Sequence, residues 1–186
     1  DDKLAQLLKQ QVTKPLHFVA TIPPSVPGTR MQALLRKRFE ALGGMFLNGD
    51  KVVAGTIAGD KLHNVTTEKL EGTKLVADNF VMATGSFMSR GLVSDYKKVY
   101  EPILGVDVDY IAERPQWTQN DVFDAQPYME FGVRTDNQLR VAKDGTTLAN
   151  VYAVGQILSG NNKLKLCNGE GLDMLTALAV ANTIKK

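Results

Sequence analysis

The sequence predicts a layered α/β domain in which helices cover a sheet. Three observations carry that prediction. The apolar stretch "NFVMATGSF" (79–87) reads as a buried strand that stops at a glycine, and "NVYAVG" (150–155) stops in the same way. The chain then closes on "GEGLDMLTALAVANTIKK" (169–186), a helix that is apolar on most sides. Such a helix is expected to lie buried between layers.

The elements before and between follow from local pattern. "DDKLAQLLKQQ" opens directly into a helix, with Leu4, Leu7 and Leu8 at helical spacing and no initiator methionine. "LHFVATI" (16–22) reads as a strand and "PPSVPGTR" (23–30) as a turn. "RMQALLRKRFEALGG" (30–44) is the clearest helix, with Met31, Leu34, Leu35, Phe39 and Leu42 on one stripe and two glycines to end it. "MFLN" (45–48), "KVVAGTIA" (51–58) and "KLHNVTTE" (61–68) read as short strands separated by "NGD" and "GD" turns. From Ser89 to about Gly145, prolines, aromatics and charges mix without a period, which reads as an inserted lobe of short pieces.

Bulk composition narrows the function. The 186 residues carry 22 basic and 20 acidic side chains, a net charge of +2, and 44% are hydrophobic. That balance argues against nucleic acid or an anionic membrane as the main partner. One cysteine, Cys167, excludes an internal disulfide framework and a cysteine-based metal cluster, and suits a reducing compartment. No apolar run reaches transmembrane length, so a role at a membrane needs another chain to hold this one there.

Chemistry is expected where the two strands stop. A glycine there lets the backbone approach a flat ligand with no Cβ in the way. The first end offers Ala83, Thr84 and Gly85, and the second Gly155 followed by Gln156. "CNGEGLD" (167–173) opens the last helix, where free N–H groups and the helix dipole favour a phosphate or an electron-rich ring edge. Each motif alone is commonplace in a turn or core strand. Their order assigns them to one site.

That order resembles the second half of the flavoproteins with two dinucleotide-binding domains. In that superfamily an "ATG" strand precedes a cap, then a "T…YA-G-D" strand, then a glycine-rich helix start. The chain is more closely similar to the B subunits of anaerobic glycerol-3-phosphate dehydrogenase. The similar stretches are "IPPSVPGTRMQALLRKRFEALGG", "ADNFVMATGSFMSRGL", "YEPILGVDV", "FGVRTDNQLR" and "ANVYAVGQILSG". The resemblance implies a Rossmann-like three-layer FAD/NAD(P)-binding fold, partial here, with flavin-binding segments at 24–93 and 146–186. It implies cap or substrate-lobe segments at 1–23 and 94–145. It also implies oxidation of sn-glycerol 3-phosphate to dihydroxyacetone phosphate, with electrons passed to the quinone pool under anaerobic conditions. The expected cofactor is FMN, or FAD, with no metal in this chain. The expected partners are a catalytic A subunit and an iron–sulfur C subunit, holding the chain peripherally at the inner face of the cell membrane.

Two departures stand out. No G-x-G-x-x-G follows a strand, so the first βαβ unit of the superfamily is missing, and the stretch alone is expected neither to hold flavin tightly nor to turn over. The acid that contacts the ribityl chain in the superfamily is here the amide Gln156. The expected cofactor residues are Val53, Ala83, Thr84, Gly85, Gly155, Gln156, Gly169, Gly171 and Leu172. Arg30 and Arg134 lead the cations offered for a substrate phosphate, followed by Arg140, Lys163 and Lys165. No catalytic base is assigned, because His17 and His63 read as structural. Cys167 reads as a buried, inert thiol, and Trp117, Tyr128 and Phe131 as lobe core. The alternatives are another FAD-dependent dehydrogenase or reductase of fumarate-reductase type, and a flavin-free scaffold that binds a partner subunit.

Overall fold

The computed structural model describes residues 2–19 and 26–185, and the chain forms two compact units, Asp1–Gly49 and Asp50–Lys186. The first unit holds two helices, α1 (Asp2–Gln11) and α2 (Val26–Ala41). Residues 26–30, expected in a turn, instead form the start of α2. Pro27 falls in its first turn, where the missing N–H would have had no helical acceptor. The rest of that expected turn, 23–25, lies outside the described residues, as do 20–22 of the expected strand. Residues 16–19 and 45–47 form no strand, and no ladder partner occurs beside them among the described residues.

The end of α2 follows the expectation. The Gly44 N–H donates to Phe39 O at 3.0 Å, and the Gly43 N–H to Glu40 O at 3.0 Å, with Gly43 at φ +88. This is the paired capping that a glycine in the left-handed region permits. The apolar stripe is present, yet Met31, Leu34, Leu35, Phe39 and Leu42 stay 48–69% exposed.

The second unit begins with a hairpin of β1 (Val52–Ala58) and β2 (Lys61–Thr67). Gly59 turns it with φ +61, at the first turn position, where glycine suits the hairpin twist. Then come β3 (Phe80–Met82), β4 (Val93–Ser94), β5 (Val99–Tyr100), β6 (Val108–Asp109) and β7 (Gly132–Val133). The chain finishes with β8 (Arg140–Lys143), β9 (Thr146–Ala153), the short α3 (Lys163–Leu166) and α4 (Gly169–Ile184). The main sheet runs β3–β9–β8, with β9 parallel to β3 and antiparallel to β8. β8, read from sequence as part of the lobe, thus belongs to the same sheet as the two glycine-terminated strands.

β9 is the centre of the unit. Val151 and Ala153 are fully buried, in one cluster with Leu62, Leu92, Leu104, Val133, Val141 and Ile157. Asn150 is the polar exception. Its amide oxygen accepts from Leu62 N at 2.9 Å, and its amide nitrogen donates to Leu62 O at 2.8 Å and Asp78 O at 3.2 Å. One side chain so ties β9 to the hairpin and to the approach of β3. Glu101 is buried as a second hub. Its carboxylate accepts from the N–H groups of Ile103, Leu104 and Gly105 at 2.6–3.0 Å, which satisfies an otherwise costly charge.

The lobe is built of short pieces, as its composition suggests. β4 pairs with β5 and β6 with β7, each two residues long. Trp117 and Phe131 are buried and meet edge-on with centroids 5.8 Å apart, while the Trp117 indole N–H donates to Ile111 O at 2.6 Å. Tyr128 packs partly buried against the same cluster.

Two expectations fail in this unit. α4 is not buried between layers: Val180 alone is buried among its described side chains, and Met174, Leu175 and Leu178 are 58–69% exposed. The three-stranded sheet offers one face to this helix, and the described residues of the second unit supply no further layer. Cys167 is exposed rather than buried, in the left-handed region at the end of α3.

Asp136 supplies a pH-dependent term. Partial burial pushes its carboxyl pKa up, but the hydrogen bonds from the Arg140 N–H, the Arg140 guanidinium and the Gln138 N–H outweigh it, so the pKa lies below the ordinary value. A depressed folded-state pKa stabilises the fold above the unfolded value, roughly 3.9, and the contribution is lost as pH falls through the folded value. Asp136→Asn is therefore expected to lower stability at pH 7 by about 1 kcal/mol or less, since the Arg140 pair is partly exposed. The difference from wild type should vanish in thermal melts taken progressively below about pH 4, as expected from the reference value.

Candidate functional site

Because β3 and β9 run parallel, both chains leave the sheet on the same side. The Val154 N–H donates to Met82 O at 3.0 Å, extending the ladder to the last residue of β3. Beyond that point the two strands part. Ala83, Thr84 and Gly85 leave on one side, and Val154, Gly155 and Gln156 on the other. Together with Ser89, Asp173 and Ala177 they line a cleft of about 420 Å³.

Each wall has a local cause. Gly85 takes φ +71 and turns the chain into a short helical turn, Phe87–Ser89. Gly91 then returns under it, where a Cβ would collide with the carbonyl oxygens of Thr84 and Gly85. Gly155 also takes φ +71, and a Cβ there would run into the Asp173 carboxylate. Its N–H donates to Thr176 Oγ1 at 2.9 Å, and that hydroxyl donates to Leu172 O at 2.6 Å. The end of β9 is thus stitched to α4, and α4 forms the floor of the cleft.

A second, larger cavity of about 920 Å³ shares Thr84 and Ser89 with the cleft. Its wall is mostly apolar, drawn from Leu62, Val65, Phe80, Met82, Val93 and Ile103, with Arg90 and Lys51 among its charged residues. Cleft and cavity together offer a small compartment with hydroxyl, amide and carboxylate groups in its wall beside a broad apolar one.

A family described as the FAD binding domain matches residues 1–172. The chain belongs to the FAD binding domain family. That membership implies an FAD-binding, Rossmann-like fold, and the mixed helices and parallel β3–β9 pair agree with it. The chain is similar to proteins named as the B subunit of anaerobic glycerol-3-phosphate dehydrogenase. It is 42% identical over 174 residues to that of Haemophilus influenzae (strain 86-028NP), covering 91% of this chain and 40% of the relative. It is 38% identical over 185 residues to that of Yersinia pseudotuberculosis serotype I (strain IP32953), covering 98% of this chain and 44% of the relative. The chain thus spans about two fifths of the length of these curated relatives. No solved structure matches it.

Five of the nine cofactor residues expected of this FAD binding domain chain meet in the cleft: Ala83, Thr84, Gly85, Gly155 and Gln156. The other four do not line it. Val53 lies on β1 and is 46% exposed. Gly169, Gly171 and Leu172 form the first turn of α4, and a Cβ on Gly171 would meet nothing within 4 Å. The residues of α4 that do reach the cleft come slightly later, Asp173 and Ala177, four apart and on one face. Sequence reading missed these two and Ser89. The i, i+4 spacing after "GEG" was the available signal.

Arg30, Arg134, Arg140 and Lys165 are not among the described residues that line the cleft, and the side chain of Lys163 lies outside the described ones. Arg30 sits on α2 in the first unit, beside Pro27, Met31 and Leu34. Arg134 pairs with Asp109 at 2.7 Å, and that hydrogen bond raises its pKa further. Arg140 pairs with Asp136.

The donor set of the cleft fits one part of a flavin well. Thr84 and Ser89 bring hydroxyls, Gln156 an amide and Asp173 a carboxylate, with two positive-φ glycines at the strand ends. These groups suit a neutral, hydroxylated chain. The described residues of the cleft bring no cation for a phosphate. No group of three or more potential metal ligands occurs among the described residues.

Proposed function

We propose that the chain is part of a flavin-bearing subunit of a quinone-linked glycerol-3-phosphate dehydrogenase acting under anaerobic conditions. The observation that carries this reading is the cleft at the paired ends of β3 and β9, in a chain of the FAD binding domain family. The relatives' name supplies the substrate class. A bound flavin, FMN or FAD, would supply electron-accepting chemistry for the oxidation of sn-glycerol 3-phosphate by the complex. Thr84, Gln156 and Asp173 would hold and orient its hydroxylated chain, and Gly85 and Gly155 would let the backbone approach. Segments 24–93 and 146–186 form the flavin-binding part, and 1–23 and 94–145 the cap or substrate lobe, in a three-layer arrangement. The partners are a catalytic A subunit and an iron–sulfur C subunit that keeps the complex at the inner face of the cell membrane. No described helix is long and apolar enough to cross a membrane.

The test is a visible spectrum and a reduction assay on the subunit with and without added FMN or FAD. Stoichiometric flavin, bleached by glycerol 3-phosphate in the presence of the A subunit, is the expected result. A protein that takes up neither flavin overturns the reading. That outcome would favour a second reading, a flavin-free scaffold for a partner subunit, which the exposed apolar surface of α4 supports.

A further inference from the structure

β3 lies at the edge of the main sheet, since the strand order is β3–β9–β8. Met82 O is turned toward β9, where it accepts from the Val154 N–H at 3.0 Å. Backbone groups alternate across a strand, so the N–H and C=O of Val81 face away from β9. No described strand lies on that side. Native edges are ordinarily guarded by a charge, a proline or a bulge. β3 has none of these: its residues are Phe, Val and Met, and its pairing with β9 runs without a register shift.

Both faces of this edge are apolar and uncovered. Val81 stands opposite Tyr152, which clusters with Val154 and with Val180 of α4, so its side chain lies on the α4 face. Val81 is half-exposed there, and α4 turns Met174 and Leu178 to solvent. Phe80 and Met82 lie on the other face and line the 920 Å³ cavity with Leu62 and Val65. A solvated edge strand keeps one polar face, whereas a strand that is apolar on both faces belongs inside a sheet.

We propose that β3 is an interior strand of the full-length subunit, and that the Val81 edge pairs with an apolar β-strand from the part of the same polypeptide that this chain does not span. Alternate side chains of that strand enter the 920 Å³ cavity, and the others cover Val81 beside α4. Two observations select a strand of the same polypeptide. The N–H and C=O of Val81 are too few to hold a separate chain, whereas a covalent connection supplies the strand at high effective concentration. The relatives also extend well beyond the matched stretch, which covers 40% of one and 44% of another. The pairing concerns the sheet, and holds whether or not the cleft takes a flavin.

Amide hydrogen exchange at Val81 tests this, read in the present chain and in the full-length subunit, each alone in solution. Exchange is expected to be fast in the chain and about a hundredfold slower or more in the subunit, as for an amide moved from an open edge into a ladder. Val81→Lys reads the side-chain face. It should shift the melting temperature of the chain by no more than about 2 °C and lower that of the subunit by roughly 5 °C or more, since the lysine is solvated in one and buried in the other. Equally fast exchange at Val81 in both proteins overturns the proposal. So does protection that grows with chain concentration, which assigns the edge to a second copy, and so does protection that needs the A subunit, which assigns it to another chain. An equal effect of Val81→Lys in both proteins overturns the covering of the α4 face.

Discussion

Asn150→Ala is expected to cost the fold about 3 kcal/mol, since it strands buried partners as well as removing its own bonds. Truncation leaves the Leu62 N–H without its acceptor, and takes a donor from both Leu62 O and Asp78 O. Leu62 is 1% exposed and Asn150 8%, so water does not replace the lost contacts without opening the core. Asn150→Leu should do no better, because it restores volume but not the hydrogen bonds. Urea titrations measure both. A loss below about 1 kcal/mol for either variant would mean that the hairpin is held to β9 by apolar packing alone, a size typical of a solvated hydrogen bond.

Gly155→Val is expected to act on stability and on the cleft together. A valine at φ +71 carries strain of roughly 1–2 kcal/mol before any contact is counted. The side chain also collides with the Asp173 carboxylate, so α4 must shift or the carboxylate must swing away. A total loss of about 2–4 kcal/mol follows, in the range of strain combined with overpacking. Gly155→Val with Asp173→Ala separates the two parts: the double variant should recover the collision and keep the backbone strain. Strict additivity of the two single changes would mean that the side chains do not meet.

Much of this architecture is legible in the residues themselves. The hairpin is written in two apolar-rich runs around Gly59–Asp60, and the end of α2 in Gly43–Gly44. The two strand ends could be paired from sequence because each runs apolar residues into a glycine. What stayed hidden depends on tertiary contact. Residues 16–19 have strand-like composition, but a strand exists only where a ladder partner lies beside it. Val26–Arg30 looks like a turn because prolines and a glycine crowd it, yet a proline in the first helical turn is no breaker. The place of Arg140–Lys143 in the main sheet is invisible in a segment without period. The composition of α4 suggests burial on all sides, whereas its packing follows from which layers the unit supplies. At the cleft, glycines advertised themselves, and Asp173 did not. Its place in the cleft depends on which turn of α4 faces Gly155, where the Gly155 N–H meets Thr176.

The central position of β9 has a consequence for how the chain is made. On the ribosome β3 emerges with its future neighbour still unsynthesised, and Asn150 follows Leu62 by 88 residues. At roughly 5–20 residues per second, translation leaves the hairpin and β3 waiting for several seconds with their β9-facing surface open. The hairpin closes locally and can form during that delay. The parallel pair cannot, because its loop must be closed before any contact rewards it. The cleft is therefore among the last features to be assembled during synthesis, and a pause in translation before residue 146 prolongs the period in which β3 is open to mispairing with another chain.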